Sequence, residues 1–101
     1  MLESTDTTTA QEALRRVQDL DPGTRALLIQ IADRLTSVRP AGLITDSRRL
    51  TLALRYATTT YGFRTEDAND AEQKLLRHMP PIEAGITRGE YALRLRKAAS
   101  R

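Results

Sequence analysis

The chain has no cysteine, no tryptophan, one phenylalanine, three tyrosines and a single histidine. Without thiols there is no disulfide, no thiolate nucleophile and no cysteine-bound structural zinc. With His78 alone, a transition-metal site would need carboxylates, and none stands at metal-loop spacing. Gly42, Gly62, Gly85 and Gly89 are isolated, so no glycine run resembles a phosphate-cradling loop. Serines fall at 4, 37, 47 and 100, none in a strand–turn–helix elbow that would expose a nucleophile. No apolar run approaches the length that spans a bilayer, and the N-terminus carries no signal pattern. These absences point away from an enzyme, from a bound cofactor or small-molecule ligand, and from a membrane. They also point to a cytoplasmic location.

What remains bounds the fold. A chain of 101 residues fits one domain. At 40% apolar with so few aromatics, its core must be built from Leu, Ile, Val and Ala. The expected fold is all-α, a compact bundle of about five short helices with two apolar connecting loops containing Pro or Gly. Residues 1–8 read as a flexible polar tail and 9–101 as a single helical domain.

Local chemistry marks the helix ends. Thr9-Ala10-Gln11-Glu12 is a capping box opening a first helix to about Leu20, with Ala13, Leu14 and Val17 on its apolar face. Asp21 caps and Pro22 starts a second helix, which buries Leu27, Leu28, Ile31, Ala32 and Leu35 as far as Val38. Ile29 points away from that arc. Pro40 stops the run. Leu43 and Ile44 are then expected to tuck into the core, and Asp46 to cap a third helix ending near Tyr61. Its core face reads Leu50, Ala53, Leu54, Ala57 and Tyr61. Gly62 suits the left-handed position that ends a helix, with Phe63 placed for the accompanying apolar contact. The fourth helix begins after Thr65, with acids in its first turn and Arg77 and His78 in its last, as the helix dipole favours. Pro80-Pro81 stops it. A second capping box, Thr87 to Glu90, opens the last helix, whose apolar stripe is Tyr91, Leu95 and Ala98. The segments 41–45 and 84–87 echo each other: Gly turns the chain, Ile anchors it and the next polar residue caps.

Charge alternates in blocks. Residues 1–21 sum to −3, 22–64 to +5, 65–87 to −3 and 88–101 to +4. Arginine dominates the basic residues, with Lys74 and Lys97 the only lysines.

Two functional readings follow. The leading one is a non-catalytic protein-interaction module, an adaptor, regulator or assembly factor that binds a protein partner or pairs as a homodimer. Its candidate contacts are Ile29 and Leu93, apolar side chains opposite the core stripes of their helices. The alternative is a nucleic-acid-binding regulator. Arg48 and Arg55 share the outer face of the third helix with Thr51 and Thr59, and Arg88, Arg94, Arg96 and Lys97 crowd the last helix. Against it stands the acidic start of the fourth helix, the would-be recognition helix of a helix-turn-helix, which would repel a major groove. Glu72 falls within the apolar stripe of the fourth helix. Either it reaches solvent at the core's edge, or it is buried with an arginine partner and serves as a tuned acid or as a polar contact that sets specificity at an interface.

Overall fold

A computed structural model describes residues 20–101. The polar tail and all but the last residue of the first expected helix lie outside the described residues. Four helices follow: α1 (Pro22–Ser37), α2 (Asp46–Tyr61), α3 (Glu66–His78) and α4 (Arg88–Ala99). They are the second to fifth helices expected from sequence. The described residues form no strand, only one isolated antiparallel bridge between Leu43 and Thr87. None of these helices is long and apolar enough to cross a membrane.

The helix starts are set by side chains that satisfy orphan backbone donors. Asp21 accepts 2.9 Å bonds from both the backbone and the hydroxyl of Thr24, with Pro22 at the head of α1. Thr87 and Glu90 close the expected capping box of α4. At α2 the expected cap is displaced by one residue. Thr45, in extended backbone, accepts from the Arg48 N–H at 3.2 Å, while Asp46 is already helical and turns toward Arg49 at 3.4 Å. Gly62 has a positive φ of 101° but a ψ of 156°, outside the left-handed helical region. Phe63 is therefore carried outward and is 75% exposed, not packed against the end of the helix. The Thr65 hydroxyl links the two helices instead: it donates to the Tyr61 carbonyl at 3.0 Å and accepts from the Ala68 N–H at 3.0 Å.

Packing divides the helices into two pairs, α1 with α4 and α2 with α3. The first pair carries most of the bulk: Leu27, Leu28, Ile31 and Leu35 of α1 and Tyr91 and Leu95 of α4 are all buried. Each such side chain contributes about 1.5–3 kcal/mol, so these outweigh the solvent-screened ion pairs Arg94–Glu83 and Arg96–Asp33. The second pair buries alanines, Ala53 and Ala57 in α2 and Ala68 and Ala71 in α3. Small side chains let the helices approach closely, which leaves bulky neighbours at the rim. The core face of α2 is accordingly rotated from the expected one. Leu52 is buried and Tyr56 half-buried, whereas Leu50, Leu54 and Tyr61 are 45%, 49% and 40% exposed.

The two echoing loops meet in space. Ile44 and Ile86 are both buried, the Ile44 N–H donates to the Ile86 carbonyl at 3.2 Å, and Thr45 and Thr87 each cap the next helix. Leu43 does not tuck inward as expected. It is 67% exposed, because the extended backbone of the bridge turns neighbouring side chains to opposite sides. The bridge sets the starts of α2 and α4 side by side. Gly89 seals this junction: its N–H donates to the Pro40 carbonyl at 2.8 Å, and a Cβ there would sit 3.2 Å from that oxygen.

The end of α3 is tied to the starts of α2 and α4 by Arg49, in the first turn of α2, a residue the helical pattern gives no role. Its Nε donates to the Pro80 carbonyl at 3.1 Å and one terminal nitrogen to the Leu76 and Met79 carbonyls at 3.0 Å each. It thus collects carbonyls that the end of α3 leaves without helical partners. The hydroxyl of the buried Tyr91 donates to the same Pro80 oxygen at 2.6 Å.

Candidate functional site

The candidate residues fall on four separate surfaces. The first is a recess of about 150 Å³ between α2 and α3, lined by Leu54, Thr58, Phe63, Arg64, Thr65, Ala68, Asn69 and Glu72. Leu54 and Phe63 are its large apolar side chains, and Leu50 lies one helical turn from Leu54. The Arg64 guanidinium sits 5.1 Å over the Phe63 ring. Glu72 is half-buried on the α3 wall. Among the described residues Arg64 and Glu72 are in no ion pair, with each other or with any third group. A cation and an anion thus flank one apolar surface without an ion-pair partner among the described residues.

The second surface lies at the α2–α4 junction. The Arg88 Nε donates to the Val38 carbonyl at 2.9 Å, which draws the guanidinium partly out of water. That burial lowers its pKa, and Arg48, Arg34 and Arg39 push it the same way. A groove of about 320 Å³ between α1 and α2 continues from Arg34 to Arg55, with Gln30, Leu52, Tyr56, Thr59 and Thr60 completing its walls. Arg48 and Arg55 thus share a face, as expected, and Arg88 joins Arg48. Arg34 and Arg39 were missed, although their place in the most basic block of the chain was a usable signal.

The rest of the basic C-terminal segment disperses. Arg94 is engaged by Glu83 through two bonds of 2.7 and 3.0 Å, and Arg96 by Asp33 of α1 at 2.6 Å. Lys97 lines a third surface, a cavity of about 580 Å³, with Arg77, His78, Arg94 and others. Successive helical residues point about 100° apart, so basic neighbours in sequence serve different faces. His78 was expected as a favourable charge at the end of its helix. Burial instead lowers its pKa, with Arg77 and Arg101 adding to the effect and Asp21 opposing it, so the neutral ring is favoured.

The fourth surface holds the candidate contacts Ile29 and Leu93, 39% and 68% exposed. Ile29 shares a shallow recess with Arg96, Ala99 and Ser100, and Leu93 lies one turn before Arg96 on α4. Both are on the surface, but they line no common recess. Among the described residues no three His, Asp or Glu side chains converge as a metal site would require.

Compared with known proteins, the chain matches no family model, no curated protein and no solved structure. The functional reading therefore rests on these surfaces alone.

Proposed function

We propose that the chain is a non-catalytic protein-interaction module that pairs with a second copy of itself through the α2–α3 recess. The observation that carries this is the stranded apolar face: Leu50, Leu54 and Phe63 are 45%, 49% and 75% exposed on neighbouring positions of one helix pair. Together they expose on the order of 300 Å² of apolar surface, comparable with the largest patch on an ordinary monomer, which is often functional. The occupant follows from the flanking charges. In a two-fold interface a residue on one copy meets its complement on the other, and the reciprocal contact comes with it. Arg64 and Glu72 line the same recess, so a second copy answers both charges at once. A cysteine-free chain suits a reducing interior, and cytoplasmic residence goes with this reading.

Sedimentation velocity over a wide range of protein concentration tests the pairing. The wild-type chain is expected to shift from monomer to dimer, and Leu54→Lys to stay monomeric with its helical circular dichroism intact. A wild-type chain that remains monomeric at the highest concentration overturns the proposal. So does a dimer that survives Leu54→Lys, which would move the interface to another surface, including one formed with residues 1–19.

A further inference from the structure

We propose that the arginines at the α2–α4 junction, Arg34, Arg39, Arg48 and Arg88, form a phosphate-binding site. The site draws residues from four places in the chain: the end of α1, the turn after it, the first turn of α2 and the first turn of α4. The bridge between Leu43 and Thr87 and the bond from the Arg88 N–H to the Gly42 carbonyl, 2.7 Å long, bring them to one place. The Arg88 stem lies along Gly42, where a Cβ would stand 3.5 Å from Arg88 Cδ. Its Nε is fixed on Val38, so the terminal nitrogens are held in position rather than left to a free side chain.

The charge is unbalanced. Among the described residues none of the four arginines is in an ion pair, and no acid acts on Arg88. Four guanidiniums gathered with no carboxylate paired to them among the described residues repel one another, and the arrangement is relieved by an anion of more than one charge. Guanidinium forks match the paired oxygens of phosphate, and several around one group favour phosphate over a single carboxylate. The caps Thr45 and Thr87 already take helix-start N–H groups, so the guanidiniums themselves are the donors.

The surface is longer than one phosphate. Arg48 and Arg55 are two turns apart on α2, about 10 Å along its axis. Arg34 lines the same groove as Arg55, between α1 and α2. A row of guanidiniums of that length can follow successive phosphates of a nucleic-acid backbone without reading bases. The site is separate from the α2–α3 recess, so self-association and phosphate binding stand or fall independently.

The test uses the full chain, a fluorescently labelled mixed-sequence DNA duplex, inorganic pyrophosphate, and polyglutamate as competitor. Arg39→Ala and Arg48→Ala are the informative variants, because both side chains are exposed and neither makes a hydrogen bond among the described residues. Lys97→Ala, in the other basic cavity, is the control. Duplex anisotropy is expected to report binding that weakens steeply between about 50 and about 200 mM salt. Each arginine variant should weaken binding roughly fivefold or more and reduce the salt slope by about one. Lys97→Ala should leave binding unchanged. A rise in melting temperature with pyrophosphate, lost in the same variants and without duplex binding, assigns the site to a small phosphate compound instead of a nucleic acid. The proposal is overturned if neither probe binds, if binding is indifferent to Arg39 and Arg48, or if polyglutamate of equal charge displaces the phosphate probe as well as unlabelled duplex does.

Discussion

Replacing Arg49 by Ala removes the contact that fastens the end of α3 to α2. Three carbonyls, those of Leu76, Met79 and Pro80, lose a charged donor at 3.0–3.1 Å. A hydrogen bond to a charged group contributes about 1.5–3 kcal/mol. The three bonds share one guanidinium, and water can reach part of the site once the side chain is gone, so they do not add. A loss of about 3 kcal/mol is expected, with the exposed pair to Asp46 adding about 0–1 kcal/mol. At about 4–8 °C per kcal/mol for a domain of this size, the midpoint should fall by about 12–24 °C. Arg49→Lys should recover less than half, because an ammonium on a flexible stem cannot meet three carbonyls with a planar fork. Urea unfolding followed by far-ultraviolet circular dichroism measures both variants, with the slope m unchanged if the native surface is preserved. A loss under about 1 kcal/mol for Arg49→Ala, or full rescue by lysine, would refute the assignment.

Two further predictions concern pH. Burial pushes the Tyr91 phenol up to about 12, so the native state keeps that proton after the unfolded chain has released it. Stability is therefore complete below pH 10 and falls between about 10 and 12, by on the order of 2–3 kcal/mol. Tyr91→Phe, which costs about 1 kcal/mol at neutral pH through the lost bond to Pro80, should flatten that alkaline decline in urea titrations. His78 acts at the other end of the scale. Its lowered native pKa means that the unfolded chain binds the proton first, so stability falls as pH drops through about 6.5 and levels off below the native value. His78→Gln should remove that acid-side slope in melting temperature; an unchanged slope would assign it to the carboxylates.

Helix existence and most helix ends were legible in the sequence because they are local. Asp21-Pro22, Thr65 and the Thr87–Glu90 box satisfy backbone donors within a few residues, and the structure uses each of them. The echo between the two isoleucine-anchored loops was legible too, though not that the loops would pair. What escaped the sequence depended on distance. The rotation of α2 follows from the close packing of its Ala53 and Ala57 with Ala68 and Ala71 of a different helix, which leaves Leu50 and Leu54 at the rim. The partition of the C-terminal arginines was set by Glu83 and Asp33, 11 and 63 residues away from their partners. Arg49 has no local signal, because its partners are the carbonyls of Leu76, Met79 and Pro80, 27 to 31 residues away. Glu72 lies between the two readings of it, half-buried at an apolar rim and facing a recess it shares with Arg64.

That shared recess offers the most direct measurement. Sedimentation equilibrium is run on the wild-type chain, on Arg64→Glu, on Glu72→Arg and on the double exchange. With Arg64 of one copy opposite Glu72 of the other, each single reversal sets like charges together and yields monomer, while the double exchange restores the dimer with the signs swapped. Four species with the same association constant, or a double exchange no better than its two parents, would contradict pairing through this face.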